Sequence, residues 1–104
     1  MQKSRACRTE MKIPKSFELM GATYKVILTD VKDWPDDEAV GFCNFLNQQI
    51  LIYTAVSESQ QEQTFFHELV HCILDKMGEQ RLNDNEKFVD VMGSLLHQVW
   101  KSIK

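Results

Sequence analysis

No run of apolar residues in this chain approaches the roughly 20 needed to cross a bilayer. None follows its cationic start either, so neither a membrane partner nor a secretory signal is expected. Cysteine is scarce: Cys7, Cys43 and Cys72 are odd in number and widely spaced, with no Cys-x-x-Cys pair. That argues against a disulfide framework and against a thiolate zinc site. It fits a reducing cytoplasm, with Cys72 as a small buried hydrophobe. Glycine and proline are few, at 4 and 2, which excludes extensive disorder. A net charge of −3 gives no footprint for general nucleic-acid binding. The 104 residues suffice for one small domain.

The charge is unevenly spread. Lys3, Arg5, Arg8, Lys12 and Lys15 face only Glu10, so residues 1–15 carry +4 and the remainder −7. Residues 1–10 hold almost nothing apolar to bury and are expected to form a flexible basic leader. A single domain is expected over residues 11–104. Its front half reads as strand: Phe17 to Leu19 and Thr23 to Thr29 flank a Met20-Gly21-Ala22 turn, which predicts a hairpin. Val40 to Phe45 and Gln49 to Thr54 flank Leu46-Asn47-Gln48 and predict a second pair. Ile50, Leu51, Ile52 and Tyr53 suit a central strand covered on both faces. The acidic stretch from Asp30 to Glu38 between the pairs reads as a solvated connection.

The back half reads as helix. Ser57 or Ser59 caps a helix that runs to Met77, where Gly78 stops it. Phe66, Leu69, Val70, Ile73 and Met77 form its apolar stripe. Gly78 to Asn83 reads as a loop. A second helix spans Asp84 to Ser102, with Phe88, Val91, Met92, Leu95, Leu96, Val99, Trp100 and Ile103 as a broad buried face. The expected fold is thus α+β: β-hairpins forming a sheet, then two helices.

One pentapeptide stands out. In His67-Glu68-Leu69-Val70-His71 the two histidines lie four apart, so on a helix both imidazoles aim at one point, off the apolar stripe. Glu68 sits one step round, within reach of a water there. Two histidines and a carboxylate base at this spacing are what a zinc peptidase needs. A catalytic zinc ion takes three protein ligands, so a third must come from elsewhere. Glu86 opens the second helix, and Asp90 follows one turn later, where it can accept a hydrogen bond from the far nitrogen of a ligand histidine. Asn83-x-x-Glu86 also has the spacing of a capping box, and Asp90 that of plain surface charge. His97 lies on the same helix about 16 Å further along the axis, too far to share an ion with Glu86.

His67-Glu68-x-x-His71 followed by Glu86-x-x-x-Asp90 resembles the signature of gluzincin-type zinc metallopeptidases. With the short strand-rich front, the layout is similar to the minigluzincins and to bacterial and phage metallopeptidases of the ImmA/IrrE type. The resemblance implies a zincin-like domain with an active-site helix and a C-terminal glutamate helix. It implies Zn2+ held by His67, His71 and Glu86, Glu68 as general base, and Asp90 supporting a histidine. It also implies that Val40 to Phe45 is an edge strand on which a protein or peptide substrate is laid, with Phe42, Cys43 and Asn44 as contacts. An oxyanion donor is less evident; Tyr24, Tyr53 and His97 are the candidates. Two other functions are kept apart from a peptidase of narrow specificity: a zinc-containing module that binds a protein without turnover, and an SprT-like protease with a third histidine ligand.

Overall fold

The computed structural model describes residues 13–35 and 38–103. The basic leader at 1–10 and the domain start at Met11 lie outside these residues. Four strands, β1 (Ser16–Leu19), β2 (Ala22–Thr29), β3 (Gly41–Asn44) and β4 (Gln49–Tyr53), precede three helices. The helices are α1 (Glu58–Met77), α2 (Gln80–Asn83) and α3 (Glu86–Ser102). The fold is α+β, as expected. No described helix is long and apolar enough to cross a membrane.

The sheet order is β1-β2-β4-β3. Both expected hairpins are present, β1 antiparallel to β2 and β3 antiparallel to β4. The first turns through Met20 and Gly21, both at positive φ (49° and 84°), as a two-residue hairpin turn that follows the strand twist requires. The two hairpins join through β2 and β4, which run parallel in register Val26 to Ile50 and Leu28 to Ile52. β4 is therefore central and β3 is an edge among the described strands.

Alternation along β4 divides the sheet's faces. Ile50 and Ile52 are fully buried toward α1, packing with Tyr24, Phe65, Phe66 and Cys72. Burying each such aliphatic side chain contributes about 1.5–3 kcal/mol. On the other face Tyr53 stacks with Trp34 at 5.0 Å between ring centroids, and Trp34 also meets Phe42 at 5.4 Å. Trp34 Nε1–H donates to the Ala39 carbonyl at 2.8 Å. The connection expected to be merely solvated is thus pinned to the sheet by one tryptophan, after a 3-10 turn at Val31–Asp33.

α1 begins where Ser57 Oγ accepts from the Gln60 N–H and ends at Gly78 in the left-handed conformation, φ 73°. Its apolar stripe is shifted from the expected one: Phe65, Cys72 and Leu74 join Phe66 and Val70 in the core, while Met77 is exposed. The expected loop at 78–83 contains α2, and α3 starts at Glu86 with Asn85 as its cap, its side chain accepting from Phe88 N–H at 3.1 Å.

The expected broad buried face of α3 is the largest departure. Val91, Leu95, Val99, Trp100 and Ile103 are about half exposed or more, whereas Val89, Gly93 and His97 are the buried positions. α3 packs chiefly on α1, so only the flank turned to that single neighbour is covered. Gly93 sets the approach: a Cβ there would lie 3.0 Å from His67 Cα and 3.1 Å from its backbone nitrogen. The two helix backbones therefore approach closely beside His67.

Candidate metal centre

α1 supplies His67 and His71 on one face, one turn apart. Their rings meet edge to face at 5.1 Å between centroids. α2 reverses the chain within a few residues, so α3 starts beside them and Glu86 enters from its first turn. Glu86 Oε1 lies 3.3 Å from His67 Nε2, and its Oε2 lies 3.4 Å from His71 Nε2. One donor atom from each of the three side chains falls within 4.8 Å of the others. Zinc bonds of about 2.0–2.1 Å in tetrahedral geometry separate adjacent donors by about 3.3 Å. The two histidine–glutamate separations are close to that edge, each to a different oxygen of Glu86, so two imidazoles and one carboxylate are placed to hold a metal ion of about that size.

Each histidine is held at its other nitrogen. His71 Nδ1 is 2.5 Å from Oδ1 of Asn83, a buried residue at the end of α2. The amide oxygen can only accept, so Nδ1 donates, and it is Nε2 that faces Glu86. His67 Nδ1 is 3.5 Å from Asp90 Oδ1, longer than a good hydrogen bond. Asn83 was read as loop or cap from the sequence. It caps nothing: Asn85 caps α3 while Asn83 turns inward to His71.

Glu68 is not one of the three converging donors. It is 8% exposed, beneath β3, beside Thr64, which is also buried. The expected polar face of α1 is therefore the floor of a cleft and not an open surface. Burial pushes the Glu68 carboxyl above the usual carboxylate range; His67 and His71 pull it down, and Glu86 adds to the rise. Gly41 on β3 is what lets the strand sit so low. A Cβ there would overlap Thr64 Cγ2 and come within 3.3 Å of Glu68 Oε2.

The cleft encloses about 570 Å³ between β3, the loop before it, α1 and the start of α3. Phe42, Cys43, Gln60, Gln63 and Thr64 line it beside the metal-site residues. Along β3 the Tyr53 N–H donates to the Val40 carbonyl, so pairing alternates through Phe42 and Asn44. The backbone groups of Gly41 and Cys43 then point away from β4, to the open side. Of the three expected substrate contacts, Cys43 offers free edge backbone. Phe42 and Asn44 turn theirs to β4, and the Asn44 side chain accepts from the Asn47 N–H within the hairpin turn. Gly41 was missed, because its value lies in a contact that only the fold creates.

Comparison with protein-family models, curated proteins and solved structures finds no match to this chain. The functional reading therefore rests on the residues and their geometry.

Three further side chains considered for the site lie elsewhere. Tyr24 is buried in the core, 1% exposed, and Tyr53 lies on the far sheet face under Trp34. His97 is buried between α1 and α3, with Nε2 3.0 Å from Glu62 Oε1 and its ring stacked on Phe66. Cys72 is fully buried, as expected of a small hydrophobe, but its Sγ is 2.7 Å from Cys43 Sγ. That contact, together with burial, holds the Cys43 thiol well above the usual thiol range. Sequence spacing gave no hint of this pairing, which depends on β3 crossing α1.

Proposed function

We propose that this protein is a minimal zinc-dependent peptidase of gluzincin-like design, acting in the cytoplasm on a protein or peptide of narrow specificity. The observation that carries the reading is the convergence of His67, His71 and Glu86 donor atoms within 4.8 Å, beside a buried Glu68 and under an edge strand. Any one of these features is common; together they form a donor set, a base and a backbone cradle on one cleft.

When bound, zinc held by His67, His71 and Glu86 would supply a Lewis acid that acidifies water and polarises a carbonyl. The chain's own groups do the rest. Glu68 accepts the proton of the attacking water and returns it to the leaving nitrogen, a role suited to a carboxyl raised by burial. Asn83 and Asp90 keep the histidine rings turned so that Nε2 faces the site. Gly41 and Cys43 present edge backbone to an extended peptide, which orients its scissile bond along the cleft. Gln60, Gln63 and Thr64 also line the cleft, with the Gln60 amide donating to Thr64 Oγ1 and the Gln63 amide to Ser94 Oγ.

The second reading is a zinc-containing module that binds a protein without turning it over. It draws on the same cleft: among its described lining residues there is no tyrosine, arginine or lysine to meet an oxyanion. An SprT-like site would need a third histidine, and His97 is engaged with Glu62 on the far side of Phe66. Zinc-loaded protein incubated with an unbiased peptide library, beside the Glu68→Gln variant, separates the two main readings. Cleavage lost in the variant supports a peptidase. Metal binding without cleavage in either form supports the binding module.

A further inference from the structure

Cys43 and Cys72 meet across the wall that separates the cleft from the core. Cys43 is on the inner face of β3 and lines the cleft. Cys72 follows His71 on α1, about 100° round the helix, and is fully buried against the sheet. Their Sγ atoms are 2.7 Å apart, with no residue between them. A disulfide needs about 2.05 Å, so closing the bond asks for a displacement of well under 1 Å.

We infer that these two thiols are a modification site: a reversible intramolecular disulfide formed by a peroxide-class oxidant and tying the rim strand to the metal-site helix. Cys43 is the one the cleft opens to oxidant, while Cys72 is sealed; the raised Cys43 thiol makes this first step slow, and contact with Cys72 makes the second fast. The Cys43 thiol and one hydrogen peroxide give a sulfenic acid and one water. The Cys72 thiol then attacks that sulfur; the S–S bond forms as the S–O bond breaks, and the hydroxyl leaves with the Cys72 proton as a second water. The two electrons come from the two sulfurs and reduce one peroxide. A resolving thiol in contact with the first intercepts the sulfenic acid before further oxygen is added. A dithiol reductant reverses the bond, returning two thiols and leaving as its own cyclic disulfide. No metal-binding side chain is consumed, so the oxidised form keeps its donor set while β3 loses freedom to lift from α1.

The inference does not depend on peptidase activity, and its test has a readout of its own. The full chain carrying Cys7→Ser, purified reduced, is treated with hydrogen peroxide to completion. A cross-linked Cys43–Cys72 peptide, about 2 Da below the sum of its two reduced parts and released by dithiothreitol, is expected on digestion, read apart from any gain of about 16 Da by methionine. The oxidised form should melt at a higher temperature than the reduced one. Wild-type protein mapped in the same way gives the answer independently, should the Cys7 variant fold poorly. A gain of about 16 or 32 Da on either cysteine overturns the inference. So do intermolecular dimers, or two thiols that stay alkylatable after unfolding. Zinc binding absent from both redox forms would instead remove the peptidase reading and leave the disulfide standing.

Discussion

Oδ1 of Asn83 lies 2.5 Å from Nδ1 of His71, so the last residue of a four-residue helix decides which nitrogen of a candidate metal ligand is free. Asn83 is 5% exposed, so its buried acceptor depends on His71 for a partner. Asn83→Ala is expected to lower zinc affinity about 10–100-fold, the usual cost of losing an outer partner of a ligand histidine. Asn83→Asp, which keeps the acceptor, should recover most of that loss. Competition with a chromogenic chelator measures both. Equal affinities for Asn83→Ala and wild type would mean that the contact does not orient His71.

Glu68→Gln tests the base and also has a pH signature in metal-free protein. Burial raises the folded carboxyl above its unfolded value, so between the two values the folded state binds more protons. Stability from this group is present below the ordinary carboxylate range, about pH 4.3, and is lost as pH rises through the raised folded value. Glutamine is uncharged and of similar shape. The metal-free variant is therefore expected to be more stable than wild type at neutral pH, with a flatter pH profile, while the zinc-loaded variant keeps its metal and loses hydrolysis. Urea melts across pH 4–8 on both proteins check the sign. A variant less stable than wild type at pH 7 would count against a buried, strained carboxylate.

The site was legible in the sequence to the extent that helical periodicity alone places its parts. His67, Glu68 and His71 share a turn and a half of one helix, and Glu86 and Asp90 share one turn of another. The hairpins could be read because Met20-Gly21 punctuates one, and because the apolar runs of β3 and β4 bracket the other. What escaped is what two distant elements do to each other. Asn83 looks like a cap until α2 turns it toward His71. Gly41 and Gly93 look like ordinary glycines until β3 and α3 press on α1. Cys43 and Cys72 are 29 residues apart, and only the strand-over-helix crossing joins them. The face of α3 was overestimated for the opposite reason: its apolar arc is wide in sequence, but one neighbouring helix covers only part of it.

Glu86→Ala and His97→Ala should fail in different ways. Removing Glu86 deletes one of three donors and should cost more zinc affinity than the 10–100-fold expected of an outer partner. Glu86 is largely exposed on its own helix, so the melting temperature of metal-free protein should change little. Removing His97 leaves Glu62 facing a hole beside Phe66 and deletes a buried hydrogen bond, a loss of about 1–3 kcal/mol. Zinc affinity should then stay within a few-fold. Isothermal titration and thermal melts on the two variants give four readings. The reverse pattern would move the third ligand to His97 and favour the SprT-like alternative.

Gly93 and Gly41 set the two distances that make the cleft, and alanine at each separates them. At Gly93 the added methyl meets the backbone of His67 and Phe66 at 3.0–3.3 Å, where nothing can swing aside. The helices must part by a few tenths of an ångström at the point where α3 delivers Glu86 and Asp90. Gly93→Ala should therefore lower zinc affinity as well as stability, the latter by about 1–3 kcal/mol as for other overpacked sites. At Gly41 the methyl overlaps Thr64 and crowds Glu68 but touches no donor atom. Thr64 is β-branched and buried, so the strand has to rise instead. Gly41→Ala should keep zinc affinity within a few-fold and depress peptide turnover, because both the base and the edge backbone move relative to the metal. Measuring zinc affinity and turnover on the same preparations decides it: equal loss of metal in both variants would show that β3 helps to hold the ligand helix, and that the cleft is not built from two independent contacts.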